Sequence, residues 1–300
     1  MKKLTLFTAS LLCSHLAFAT IAQPSEQTKL TGDTLVSALV DPNAETTEFS
    51  ATHGATPSNA AEYEAVYLNN VSKIVPKSKH EKDRSMYYSV DATYPQITGN
   101  SYKEAESAFN KQVNAIIDEE MQQFKNSVQL DMPHMKTLPK EVRNNTFKID
   151  YDIDVIHELA IVSIRFTIQG MQAGRAHPYR SHRVLNYDLI HNKELALNDL
   201  FKPDAKYLDA LAKYSNTKLQ KTVDEKDKWM IAEGAKAIAK NYKNWNIEKG
   251  ALLITFDEYQ VAPYVYGPQE IEIPYTEIQQ LLSPQAQIIS SIKDNITNVG

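Results

Sequence analysis

"TFKIDYDIDVIHELAIVSIRFTI", residues 146–168, decides the fold class. Phe147, Ile149, Tyr151, Ile153 and Val155 recur at every second position, the period of a half-buried strand. A second apolar run, 159–168, follows after only His157-Glu158, so the stretch reads as an antiparallel hairpin. Upstream, Ala105, Phe109, Val113, Ile116, Met121, Phe124 and Val128 recur at helical spacing, with Ser101 and Glu104 placed as a capping box. "MYYSVDATYP", 86–95, reads as an alternating strand closed by its proline.

Downstream, "HRVLNYDLI" (182–190) and "ELAL" (194–197) read as strands joined by "HNK", and Asn198 caps a short turn at "NDLF". Asp204 opens a helix through Tyr207, Leu208, Leu211, Tyr214 and Leu219, and a second helix is expected over about 225–242. "ALLITFDEYQVAPYVYGPQEIEIPYTEIQQLL", 251–282, reads as three short strands broken by Pro263 and Gly267-Pro268, then a terminal helix. Hairpins alternating with helices, without a glycine-rich phosphate loop, give an α+β fold. Its expected form is antiparallel hairpins packed against a long N-terminal helix and two or three further helices.

The ends of the chain carry other signals. Met1-Lys2-Lys3, an apolar run from Leu4 to Phe18, and Ala17-Phe18-Ala19 have the layout of a signal peptide, residues 1–19. The run is short of the roughly 20 residues of a bilayer span, which disfavours an uncleaved anchor. Residues 20–84 are rich in Ser, Thr, Pro and charge and read as a flexible leader, with 63–74 a candidate short helix. Two modules follow, 85–170 and 171–283, and then a tail, 284–300. Cleavage near Ala19 would remove Cys13, the only cysteine, leaving no disulfide or thiol chemistry. It would also remove two lysines and no acid, taking the net charge from −5 to −7. An acidic chain is a poor nucleic-acid binder and suits a basic partner. The expected location is the periplasm or the cell exterior, with no transmembrane segment in the mature chain and no cofactor.

"AGRAHPYRSH", 173–182, raises the question of chemistry. His177 and His182 are five apart, which fits neither the helical nor the strand spacing of paired metal ligands, so no metal site is assigned. Ser181 adjoins His182 without a nucleophile elbow, and Asp257-Glu258 at a strand end could supply carboxylates. A hydrolase using His177 and a carboxylate is the alternative to a non-enzymatic reading. The favoured reading of the stretch is structural. Gly174 permits a tight turn, Ala176 allows close packing, His177 satisfies buried carbonyls, and Pro178 stops the preceding strand. Tyr259, Tyr264 and Tyr266, among Pro263 and Gly267, suit either protein recognition, stacking on sugars, or core filling.

The motifs "YYSVDATYPQITGN" with Phe109-Asn110, "AGRAHPYR", "NYDL", "LNDLF" and "LLITFDEYQVAPYVYGPQEIEIPY" together resemble an exported bacterial domain family. The same domain stands in the extracellular part of lysozyme-sensing anti-sigma-V factors and at the N-terminus of some peptidoglycan deacetylases. The resemblance spans about 85–283. It implies an α+β module and a surface that binds lysozyme, so the expected partner is a lysozyme-type muramidase or peptidoglycan itself. An accessory role, holding glycan strands, is the neighbouring expectation. The family pattern has Gly-Gly-Ala-His where this chain has Gly174-Arg175-Ala176-His177. Only Met-Lys-Lys precedes the apolar run and no deacetylase domain is seen, so neither familiar attached output is expected. The recognition rim is expected at Gly174, Arg175, Ala176, His177 and Pro178 together with Tyr259, Pro263, Tyr264, Tyr266 and Gly267.

Overall fold

The computed structural model describes residues 66–67, 73–99 and 102–291. The chain is a mixed α and β fold in which one long sheet is covered on its two faces by different partners. Strands β1 (Val66–Tyr67), β2 (Lys73–Asp83) and β3 (Tyr88–Thr98) lead into helix α1 (Lys103–Met135). The hairpin follows as β4 (Asn145–Ile156) and β5 (Ile161–Met171), then β6 (Tyr179–Asp188) and β7 (Lys193–Glu194). These seven strands pair in chain order. Every pair is antiparallel except β3 with β4, which α1 connects as a crossover. This parallel pair lies outside the expected antiparallel hairpins, and α1 follows three described strands rather than leading the fold.

Strand alternation builds the first core. Val162, Ile164, Phe166 and Ile168 of β5 point to one face and meet Phe109, Val113, Ile117 and Phe124 of α1. Ile117 takes the buried position expected of Ile116, which packs at the margin. Phe124 stacks on Phe147 at 4.7 Å, and Phe109 meets Tyr187 edge-on at 5.7 Å. Asn110 fixes the helix against β3: its side chain accepts from Ile97 N–H (2.8 Å) and donates to Ile97 C=O (2.9 Å). The helix begins at Lys103 with Tyr102 in the cap position and no side-chain cap; Ser101 lies outside the described residues.

The opposite face of β5 carries Ile161, Ser163 and Arg165, and here a second, three-stranded sheet packs. Helices α2 (Tyr207–Leu219) and α3 (Lys228–Gly234) precede β8 (Trp245–Ile247), β9 (Ala251–Phe256) and β10 (Gln269–Pro274), which pair in the order β10-β9-β8. Helices α4 (Tyr275–Ile278) and α5 (Pro284–Ser291) close the chain over the second core of Leu211, Ile254, Phe256, Ile273 and Leu282. A polar row joins the two sheets. Ser163 Oγ receives hydrogen bonds from Asn246 Nδ2 (2.9 Å) and Ile247 N–H (3.0 Å) and donates to Asn186 Oδ1 (2.7 Å). Arg165 reaches Asp152 on β4 (3.0 Å), and Thr255 (3.1 Å) and Glu270 (2.7 Å) across the seam.

Several expectations give way for physical reasons. Residues 73–83, read as a charged leader, form a full strand. β2 buries Ile74 but draws its order from the ladder with β3 and from charge pairs, Lys79 with Asp118 and Lys125 with Glu81. Residues 66–67, within the expected short helix, pair with β2. The expected boundary at 170/171 falls inside the β5–β6 hairpin, and the described residues group as one unit. The helix expected over 225–242 is broken after Gly234, where Asn241 Nδ2 (3.1 Å, to Glu233 C=O) and Tyr242 Oη (2.9 Å, to Ala235 C=O) take the terminal carbonyls. The middle strand of 251–282 is a 3₁₀ turn, Tyr264–Tyr266, and the expected tail begins as α5, with Ala286 and Ile289 buried.

Candidate functional site

The turn after β5 is set by one residue. Arg175 N–H bonds Gln172 C=O at 3.1 Å, and Gly174 holds φ at +73°. A side chain there would be strained, and its Cβ would stand 2.9 Å from Leu138 Cδ1. Asn145 fastens the turn from below, its Oδ1 accepting Ala173 N–H at 2.8 Å. Arg175, Ala176, His177 and Pro178 then run exposed to the start of β6. Exposure corrects two expectations: Ala176 is not closely packed, and His177 satisfies no buried carbonyl. The His177 ring lies instead 5.1 Å from that of Tyr264.

The other wall comes from the segment after β9. β6 has β5 on one side but β7 only at its far end, so the N–H groups of Arg180 and His182 face an open edge. Carboxylates take the place of a missing strand. Glu258 Oε2 accepts Arg180 N–H at 3.0 Å, and Asp257 Oδ1 accepts His182 N–H at 3.0 Å and ring Nδ1–H at 2.8 Å. Lys243 adds an ion pair to Asp257 at 3.2 Å. Burial raises the Asp257 carboxyl, but the His182 hydrogen bond and the Lys243 charge outweigh it and hold the group below the usual carboxylate range. The histidine–carboxylate pair therefore forms at His182, only 4% exposed, and not at His177.

Tyr259 is presented by a strained turn. Gln260 N–H closes on Asp257 C=O at 3.0 Å, which leaves Tyr259 at φ +63° and 61% exposed. The left-handed conformation costs a non-glycine residue about 1–2 kcal/mol. Gln260 holds the turn in place by donating to Gly234 C=O (3.0 Å) and Asn241 C=O (2.9 Å). Tyr259 lies 5.8 Å from Tyr264, so Tyr259, Tyr264 and His177 form a continuous aromatic wall.

The result is an open cleft of about 550 Å³. Arg175, Ala176, His177, Pro178, Tyr259 and Tyr264 line it, bringing together two stretches about 80 residues apart. Gln172, Tyr179, Arg180, Ser181, Asp257 and Glu258 also line it, a set no local pattern predicts, because β6 register and the β9 end decide it. Burial, then the charge of Glu120, pushes the Tyr179 phenol up to about 12, and its ring covers Gly170. The other rim candidates shape the cleft without lining it. Gly174 sits behind the turn, Pro263 opens the 3₁₀ turn, Gly267 closes it at φ +64°, and Tyr266 turns away so that its Oη accepts Asp224 N–H at 3.2 Å. Among the described residues, no three His, Cys, Asp or Glu side chains converge as metal ligands, and no helix is long and apolar enough to cross a membrane.

Comparison with known proteins places this architecture. The chain is 30% identical to the anti-sigma-V factor RsiV of Bacillus subtilis over 210 residues, 68% of each chain. It belongs to the RsiV family. Residues 198–276 match the domain family described as a protein of unknown function, DUF3298. The peptidoglycan-N-acetylmuramic acid deacetylase PdaC of the same organism is 29% identical over 170 residues, 56% of this chain but only 35% of that protein. A crystal structure of a DUF3298 member from Bacteroides fragilis, 17% identical, superposes with a TM-score of 0.52 over 74% of this chain and 97% of the other. It shares the fold.

Proposed function

We propose that the protein is an exported, non-enzymatic recognition module of the cell envelope, that its binding surface is the cleft between 172–181 and 257–264, and that its partner is a lysozyme-type muramidase. The observation that carries the reading is the strained, exposed Tyr259 at the head of an aromatic wall. Backbone strain that holds an apolar ring in water serves no packing purpose and is characteristic of a contact surface. The resemblance to lysozyme-sensing relatives supplies the partner class, and the chain's net charge of −5 suits a basic enzyme. Asp257 and Glu258 line the cleft with His177 but are engaged in holding the β6 edge through Arg180 and His182, which supports the non-enzymatic reading.

The test is interferometry of the mature chain against chicken-type and goose-type lysozymes, with a basic protein of similar size as control. Lysozyme-selective binding at physiological salt, lost in Tyr259→Ala and Tyr264→Ala, is the expected result. Equal binding to the control would reduce the signal to charge and sink the reading. A second reading, direct capture of peptidoglycan, draws on the same wall, because tyrosine and histidine faces stack on sugar rings. Salt-resistant pull-down by purified sacculi that fails with Tyr264→Ala would favour it over the muramidase.

A further inference from the structure

Helix α2 buries Leu211, Ala212, Ser215 and Leu219 and turns Lys213 and Thr217 outward one turn apart, with Lys221 just past its end. Eight residues of helical rise set Lys213 and Lys221 about 12 Å apart. An open groove of about 670 Å³ runs along this face, lined by Lys213, Thr217, Lys221 and, from α3, Lys228, with no acidic residue in its lining. A second groove of about 430 Å³ shares Lys213 and Thr217 and adds Tyr214 and Lys218, with Glu277 as its single acid. Lys218 Nζ is held 5.2 Å from the Tyr214 ring centroid, which keeps its charge over the groove. Neighbouring acids offset only part of the patch. Lys228 pairs with Glu225 at 2.6 Å, and Asp209 lies one turn before Lys213.

Lys213, Lys218 and Lys221 along α2 and its end, with the paired Lys228 beside them, stand against the trend of a chain with 37 acids and 32 bases. Like charges three or four residues apart, as Lys218 and Lys221 are, disfavour the folded state unless an anion screens them. All four are lysines, point charges suited to phosphate, rather than the planar forks that pair with carboxylates. Two contiguous open grooves fit an extended chain better than a single ion. None of their lining residues lines the cleft.

We infer that this face of α2 binds a linear phosphodiester polymer, at a site separate from the cleft. Binding of the full chain to poly(glycerol phosphate) is measured across a salt series, with monomeric phosphate, heparin and anionic lipid vesicles in parallel. The polymer is expected to bind with a linear fall of log K with log salt. The Lys213→Gln/Lys221→Gln variant should reduce that slope by about 1.4, since each cation contributes about 0.7 on a single-stranded polyanion. Lys77→Gln/Lys111→Gln, on β2 and α1, should leave it unchanged. Both pairs of positions are exposed, and thermal melts check that the folds match. No binding to the polymer, an equal loss in the two variants, or binding to heparin or vesicles as strong as to the polymer would overturn the inference.

Discussion

Glu248 follows β8 at the seam between the two sheets, and its position makes stability depend on pH in a way one substitution can isolate. Ile247 is bonded to Ser163, and Ser163 pairs across β4–β5 with Asp154, so Glu248 is brought toward Asp154. Burial, then the charges of Asp154 and Glu272, push the Glu248 carboxyl up to about 7, with Arg165 opposing and Glu270 adding to the rise. Asp154 is itself raised, by burial and then by Asp152, against Arg165 and Lys249. The ordinary value for Glu248 is 4.5, so between 4.5 and about 7 the folded chain binds a proton that the unfolded chain has released. Stability from this group is therefore full below 4.5, falls as pH rises, and is lost above about 7. At about 1.4 kcal/mol per pH unit, the ceiling is about 3 kcal/mol. Sharing of the proton with Asp154 and partial solvent access lower the expected value to about 1–2 kcal/mol. Glu248→Gln should then be more stable than the parent by that amount at pH 8 and within about 0.5 kcal/mol of it at pH 5. Urea unfolding followed by fluorescence reads the difference, with Trp245 buried beside the seam as probe. An equal difference at the two pH values, or destabilisation at pH 8, would refute the reasoning.

Tyr259→Gly relieves the left-handed strain and should stabilise the fold by about 1 kcal/mol in denaturant titrations, less the entropy glycine adds to the unfolded chain, while weakening partner binding. Gly174→Ala meets both the positive φ and Leu138, and should cost more than about 1 kcal/mol in the same titration. Asp257→Ala leaves His182 N–H, the His182 ring and Lys243 without their acceptor, and should cost about 2–3 kcal/mol at pH 7. Because the Asp257 carboxyl is held low in the folded chain, its contribution is present above 3.8 and fades as pH falls through its folded value, so the deficit of Asp257→Ala should narrow in acid. A deficit unchanged between pH 7 and pH 3 would count against this account.

The β4–β5 hairpin and α1 were legible because their burial follows a local period: alternate residues from Phe147 to Val155, and a helical stripe from Ala105 to Val128. β2 was not, since Lys77, Lys79, Lys82 and Asp83 give it the composition of a leader while its order comes from a ladder with β3. The parallel pairing of β3 with β4 was equally hidden, because nothing in either strand records which neighbour it will meet across a 33-residue helix. At the candidate site, the pairing of residues 175–178 with Tyr259 and Tyr264 could be suspected from composition. That Asp257 and Glu258 cap the β6 edge could not, since this depends on where β9 ends relative to β6. His177 was misread for the same kind of reason. A histidine in a glycine–proline turn suits a buried bridge as well as an exposed ring, and only the tertiary setting decides.

The capped edge also leaves the rim independent of the sheet. An exposed strand edge normally needs a partner strand, a charge or a cover. Here two carboxylates meet that need at Arg180 and His182, which frees residues 175–178 from any ladder. Of the Gly174-Arg175-Ala176-His177 run, only Gly174 is fixed by backbone and packing, so the side chain of Arg175 is not constrained by the fold. Its guanidinium and that of Arg180 have no ion pair among the described residues, so both remain available to a ligand. The fold is thus set at Gly174, His182 and Asp257, and the character of the surface at Arg175, His177, Tyr259 and Tyr264. The residues that hold the fold and those that shape the exposed cleft wall stand only a few positions apart along the chain.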